Sequence, residues 1–100
     1  MATYADTEQT VRARFTVHGR VQGVGYRRYV EKQVAALGGL SGWVMNASDG
    51  TVVGEVQGAR ADVRRLEELL LVGPTHSSVA SVDYDYVPAV AGDGSFKIRR

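Results

Sequence analysis

The sequence predicts an α+β sandwich: one antiparallel sheet with two helices on one face, in the order β-α-β-β-α-β, plus a short C-terminal strand. Three observations carry this. Apolar residues alternate with polar ones in the first and fourth of the strand-like stretches, while two other segments show helical spacing. Gly38-Gly39 and Gly73-Pro74 close the two helical segments. An Asp49-Gly50 pair joins the two middle strands, the dipeptide of a hairpin.

Taken in order, residues 1–10 are polar and without period, and are expected to form a flexible tail ahead of a domain spanning residues 11–100. Val11, Ala13, Phe15 and Val17 then alternate with Arg12, Arg14, Thr16 and His18, the mark of a strand with one buried face. A glycine-rich loop follows. Tyr26, Tyr29, Val30, Val34 and Leu37 next recur at helical spacing, with Arg27, Arg28, Glu31 and Lys32 on the other side. Residues 40–47 read as a second strand and residues 51–57 as its return. A second helix opens near Arg60, buries Val63, Leu66, Leu69 and Leu70, and carries Asp62 in its first turn, where the helix dipole favours a negative charge. Residues 79–87 form a fourth strand with Val82, Tyr84 and Tyr86 inward. Residues 96–100 form the short last one. Two split β-α-β units of this kind give the ferredoxin-like arrangement.

Composition narrows the function. One hundred residues with 44% hydrophobic content make one domain with a single core. The net charge of +1 gives no electrostatic case for nucleic acid or an anionic membrane. Ten of the twelve basic residues are arginine, whose planar fork suits anions but whose excess also fits a genomic bias. Without cysteine there is no disulfide, thiol catalysis or Cys-ligated metal. No apolar run approaches the ~20 residues of a membrane span, and the N-terminus does not read as a secretory signal. A cytoplasmic protein is expected.

The segment Gly19-Arg20-Val21-Gln22-Gly23-Val24-Gly25-Tyr26-Arg27 carries the chemistry. It lies between a strand and a helix. Its glycines free the backbone to curl, the helix N-terminus offers unpaired N–H groups, and an arginine stands in the first turn. These make an anion cradle from the backbone of Gln22, Gly23, Val24, Gly25, Tyr26 and Arg27. The spacing is neither that of a P-loop nor that of a dinucleotide fingerprint.

This segment, together with Gly42-Trp43-Val44-Met45-Asn46-Ala47-Ser48-Asp49-Gly50, resembles the acylphosphatase family. Gln57-Gly58, Gly73-Pro74 and the closing Phe96-Lys97-Ile98-Arg99 also fit its pattern, so the resemblance covers about residues 11–100. Met45 stands where many members carry a basic residue, and Tyr26 replaces the commoner phenylalanine. The resemblance implies hydrolysis of an acyl phosphate to a carboxylate and inorganic phosphate, with no metal and no cofactor. It implies that Arg27 binds the phosphate and that Asn46 orients the attacking water. No long exposed apolar stripe argues for a dimer, so a monomer is expected.

Plainer roles stand beside these. Arg27 lies four residues before Glu31, the spacing of a surface ion pair. Asn46 would serve as a residue preceding a turn, and Asp49 as a turn former. His18 and His76 belong to neither motif and are not expected to be catalytic. A two-residue Asp49-Gly50 turn would pair Asn46 with Val53; a longer loop shifts the register by one. Two other functions share the topology: a non-catalytic anion-binding module, and an RNA-binding domain, although the third strand lacks the aromatics on which such domains stack bases.

Overall fold

The computed structural model describes residues 9–92 and 94–100. The tail expected at the start lies, for residues 1–8, outside the described residues. The elements are β1 (Thr10–Arg20), α1 (Tyr26–Leu37), β2 (Ser41–Asn46), β3 (Val52–Ala59), α2 (Arg60–Val72), β4 (Ser78–Val87) and β5 (Phe96–Arg99). The strands form one sheet in the order β4-β1-β3-β2-β5. β1 lies antiparallel to both β3 and β4, and β2 antiparallel to β3. β5 joins the edge parallel to β2, which makes the sheet mixed.

The period-two pattern of β1 determines which face is buried. Ala13, Phe15 and Val17 are at most 1% exposed and share one core with Val30 and Val34 of α1 and Val63, Leu66 and Leu70 of α2. Both helices therefore cover the same side. α1 lies over β2 and β5, and α2 over β1, β3 and β4. Phe15 pairs with Gly54 across the β1–β3 ladder. A Cβ at Gly54 would strike the Phe15 ring, so the glycine makes room for it.

Hydroxyl groups tie the helix layer together. Tyr26 and Tyr29 of α1 donate to the carbonyls of Leu70 and Leu69 at 2.6 and 2.7 Å. Tyr84 of β4 donates to Val63 O at 3.0 Å.

The opposite face is not simply solvated. Arg12, on the polar side of β1, is only 5% exposed. Its guanidinium bonds Glu55 at 2.6 Å and Gln57 Oε1 at 3.2 Å. Gln57 in turn makes two bonds with the Val90 backbone, donating to its carbonyl at 2.9 Å and accepting from its N–H at 2.7 Å. The β4–β5 crossover is thus held to this face and delivers β5 to the edge beside β2.

Candidate active site

The cradle begins where β1 ends. Val21 is 1% exposed and anchors the loop in the core. Gly23 and Gly25 adopt φ of 74° and 80°, left-handed backbone that suits glycine, and both are exposed. Gly25 is also the N-cap of α1. It offers no side-chain cap, and the first turn of α1 holds no acidic residue. The first N–H groups of a helix have no intrahelical partner. Here no carboxylate of the first turn offsets them, so the positive end of the helix faces the loop.

Arg27 is the second residue of α1. Its Nη1 donates to the Arg99 carbonyl of β5 at 3.2 Å. The Arg27–Glu31 pair, the plainer role open to this arginine, is not among the ion pairs of the described residues. Trp43 of β2 holds β5 from the far side, with the Arg99 guanidinium 4.6 Å from its ring centre. Asn46 is the last residue of β2. The hairpin takes the longer of the two loops: Ala47 N–H bonds Thr51 O at 2.9 Å, and Asn46 pairs with Val52. Gly50 closes the turn at φ 93°. Asn46 shares its face of β2 with buried Val44, the helix side, so its side chain stands at the cradle's end of the sheet.

These parts meet in one cleft of about 290 Å³. Gly23, Gly25, Tyr26, Arg27 and Asn46 line it together, with Val21 and Ile98 as apolar walls. The sequence-expected arginine and asparagine, 19 positions apart in the chain, thus face one volume. Gln22 and Val24 lie in the same loop but do not line the cleft. Tyr26 gives its ring to the core, and burial, then the neighbouring Tyr29, raise its hydroxyl pKa, so it remains a protonated donor. Arg28 and Arg100 also line the cleft, and no lining residue is acidic. Arg28 was legible as a second first-turn arginine. Arg100 carries no such signal, because its position depends on the pairing of β5.

Other candidates fall elsewhere. His18 bonds Asp83 at 2.9 Å on the sheet face away from the helices, and His76 is exposed in the loop after Pro74. Asp49 Oδ1 accepts from the Thr51 N–H at 3.0 Å and hydroxyl at 2.6 Å, which hold its carboxyl below the usual range. No cluster of three metal-ligating side chains occurs among the described residues. No described helix is long and apolar enough to cross a membrane.

The cleft thus sets three arginines and the glycine loop around a neutral amide, with no Asp, Glu or His side chain among its lining residues. Comparison with known proteins points the same way. A family model described as Acylphosphatase matches residues 13–98. The chain is 42% identical to an acylphosphatase of Mesorhizobium japonicum, over 93% of this chain and 96% of that one. It is 43% identical to an acylphosphatase of Moorella thermoacetica, over 89% and 94%. The crystal structure of acylphosphatase from Bacillus subtilis superimposes with a TM-score of 0.85 at 30% identity, covering 90% of this chain and 99% of that one. These likenesses favour neither the anion-binding module nor the RNA-binding domain.

Proposed function

The chain belongs to the acylphosphatase family, and from that premise we propose how its cleft works. The reaction is hydrolysis of the carboxyl–phosphate bond of an acyl phosphate, giving a carboxylate and inorganic phosphate. The phosphoryl oxygens lie against the backbone N–H groups of Gly23, Gly25, Tyr26 and Arg27, the loop residues that line the cleft, and the Arg27 guanidinium adds charge-assisted hydrogen bonds. Asn46 does not titrate near neutrality and is no base; its amide accepts from and donates to one water, and so orients it. The water oxygen attacks phosphorus as the bond to the acyl oxygen breaks. The bonding pair leaves with the carboxylate, and the water's proton passes to a phosphoryl oxygen. A carboxylate is a good leaving group, so positioning and charge stabilisation suffice without a strong base.

The observation that carries these roles is the convergence of Arg27, Asn46 and the two left-handed glycines on one cleft that no Asp or Glu side chain lines. The positive charges there do the work a divalent ion does elsewhere, which supports a metal-independent reaction. We further propose a cytoplasmic monomer with no nucleic-acid or membrane partner. The small net charge supports the lack of a nucleic-acid or membrane partner. The scatter of the large exposed apolar side chains between Leu71 and Val72 of α2 and Tyr86 and Val90 around the end of β4 supports the monomer.

The test is turnover of benzoyl phosphate by the purified protein and by Arg27→Ala. Removing one preorganised donor elsewhere costs about two to three decades in rate, and loss of the guanidinium is expected to cost at least that. Its phosphate inhibition constant should weaken in parallel. An Arg27→Ala protein that turns over and binds phosphate like the parent would remove Arg27 from the site.

A further inference from the structure

Gln22 belongs to the glycine loop but does not line the cleft, and its side chain points to another role. Its amide nitrogen donates to Ala47 O at 2.7 Å and to Thr51 O at 2.9 Å. A carboxamide has two N–H donors, so both are used. The acceptors are the two residues that close the β2–β3 hairpin, themselves joined by the Ala47 N–H to Thr51 O bond of 2.9 Å. Ala47 directly follows Asn46 in the chain. One side chain therefore links the glycine loop, next to Gly23 of the cleft, to the residue that follows Asn46.

The link matters because the two halves of the site hang from strands that are not neighbours. The cradle leaves the end of β1, Asn46 ends β2, and β3 lies between them. Apart from Gln22 and the Arg27 bond to the Arg99 carbonyl of β5, their separation is set across two successive ladders, at the place where both strands end in loops. Each carbonyl it bonds also accepts one backbone N–H, Ala47 O from Gly50 at 3.3 Å and Thr51 O from Ala47 at 2.9 Å, and Gln22 takes the second lone pair of each.

We propose that Gln22 is a positioning residue whose side-chain amide sets the distance between the phosphate cradle and Asn46. It holds the water in line behind phosphorus and touches neither water nor phosphate with that amide. The inference rests on the proposed roles of Arg27 and Asn46. Misplacing a reacting group by about 1 Å costs on the order of 100-fold in rate, so a brace of this kind is felt in turnover.

The experiment is a double-mutant cycle on the whole chain, with benzoyl phosphate as substrate and inorganic phosphate as inhibitor. Gln22→Met keeps the length of the side chain and deletes both donors. Its kcat is expected to fall about 10- to 100-fold. Its phosphate inhibition constant is expected to stay within about twofold of the parent's, since the cradle N–H groups and Arg27 remain. In an Asn46→Ala background the same substitution should lower kcat by less than about twofold further, because the group being positioned has gone. Gln22→Asn, which keeps the amide one methylene short, should lose turnover in the same pattern.

An unchanged kcat in Gln22→Met overturns the proposal. So does an equal loss in both backgrounds, or a loss of phosphate affinity as large as the loss of kcat, which would make the side chain a support of the cradle alone. If neither variant folds by circular dichroism, the amide is a folding determinant and the positioning role is wrong. Failure of the underlying reading looks different: Asn46→Ala itself would then turn over like the parent.

Discussion

Replacing Tyr26 by Phe removes one oxygen from the scaffold beneath the cradle, and the structure fixes what that does. In α2 the Leu70 carbonyl would accept from the N–H four residues on, but that residue is Pro74, which has none. The Tyr26 hydroxyl supplies the missing donor at 2.6 Å. Both residues are at most 1% exposed, so water has no route to take its place. A buried carbonyl left without a partner costs about 1–3 kcal/mol. In a domain of this size each kcal/mol lowers Tm by about 4–8 °C. Neither Arg27 nor Asn46 loses a contact, so turnover by the folded enzyme at room temperature should match the parent's. Urea unfolding followed by circular dichroism reads the effect: the midpoint falls and the slope stays the same. An unchanged midpoint would refute the capping of α2 by Tyr26. A loss of turnover with full stability would show that the hydroxyl belongs to the chemistry.

Three further outcomes are expected. Gly23→Val forces a β-branched residue to φ 74°, a strain of about 1–3 kcal/mol, and should weaken phosphate inhibition and turnover together; a folded variant with the parent's inhibition constant would sink the cradle. Thr51→Val deletes the hydroxyl donor to Asp49, the first cause of that carboxyl's lowered pKa, while the N–H remains, so an NMR titration should find the pKa higher but still depressed. A depressed folded-state pKa gives stability that is present above the unfolded pKa and lost as pH falls through the folded one, so acid should weaken the parent's hairpin more than the variant's; identical titration curves would contradict this. Chelator treatment should leave activity intact, and a His18→Ala, His76→Ala double variant should keep the parent's pH profile, since neither histidine lines the cleft; activity lost to chelator and restored by a divalent ion would falsify the metal-free mechanism.

Much of the fold was legible because its signals are local. The alternation in β1, the helical spacing after Tyr26 and the Gly-Gly and Gly-Pro stops each need only a few residues. Arg27 and Asn46 were legible through two motifs, though nothing in the chain alone shows that they meet. What escaped depends on contacts between distant segments. Arg12 sits in the polar register of β1, yet the β4–β5 crossover buries it against Glu55 and Gln57, and a period does not encode what lies above a strand. The parallel pairing of β5, and with it the Arg99 carbonyl on Arg27 and the place of Arg100, follows from that same crossover. The hairpin register turned on one residue of loop length, which Asp49-Gly50 leaves open. The two bonds of Gln22 leave no trace in a sequence read for glycine and charge.

The central claim is that Arg27 and Asn46 face one cleft in separate roles, one on the phosphate and one on the water. The most direct measurement is kcat and the phosphate inhibition constant of Asn46→Ala beside those of Arg27→Ala, with benzoyl phosphate as substrate. The account predicts that Asn46→Ala loses turnover while its inhibition constant stays near the parent's, and that Arg27→Ala loses both. A loss of phosphate binding in Asn46→Ala as severe as that in Arg27→Ala would contradict it and make Asn46 a phosphate ligand.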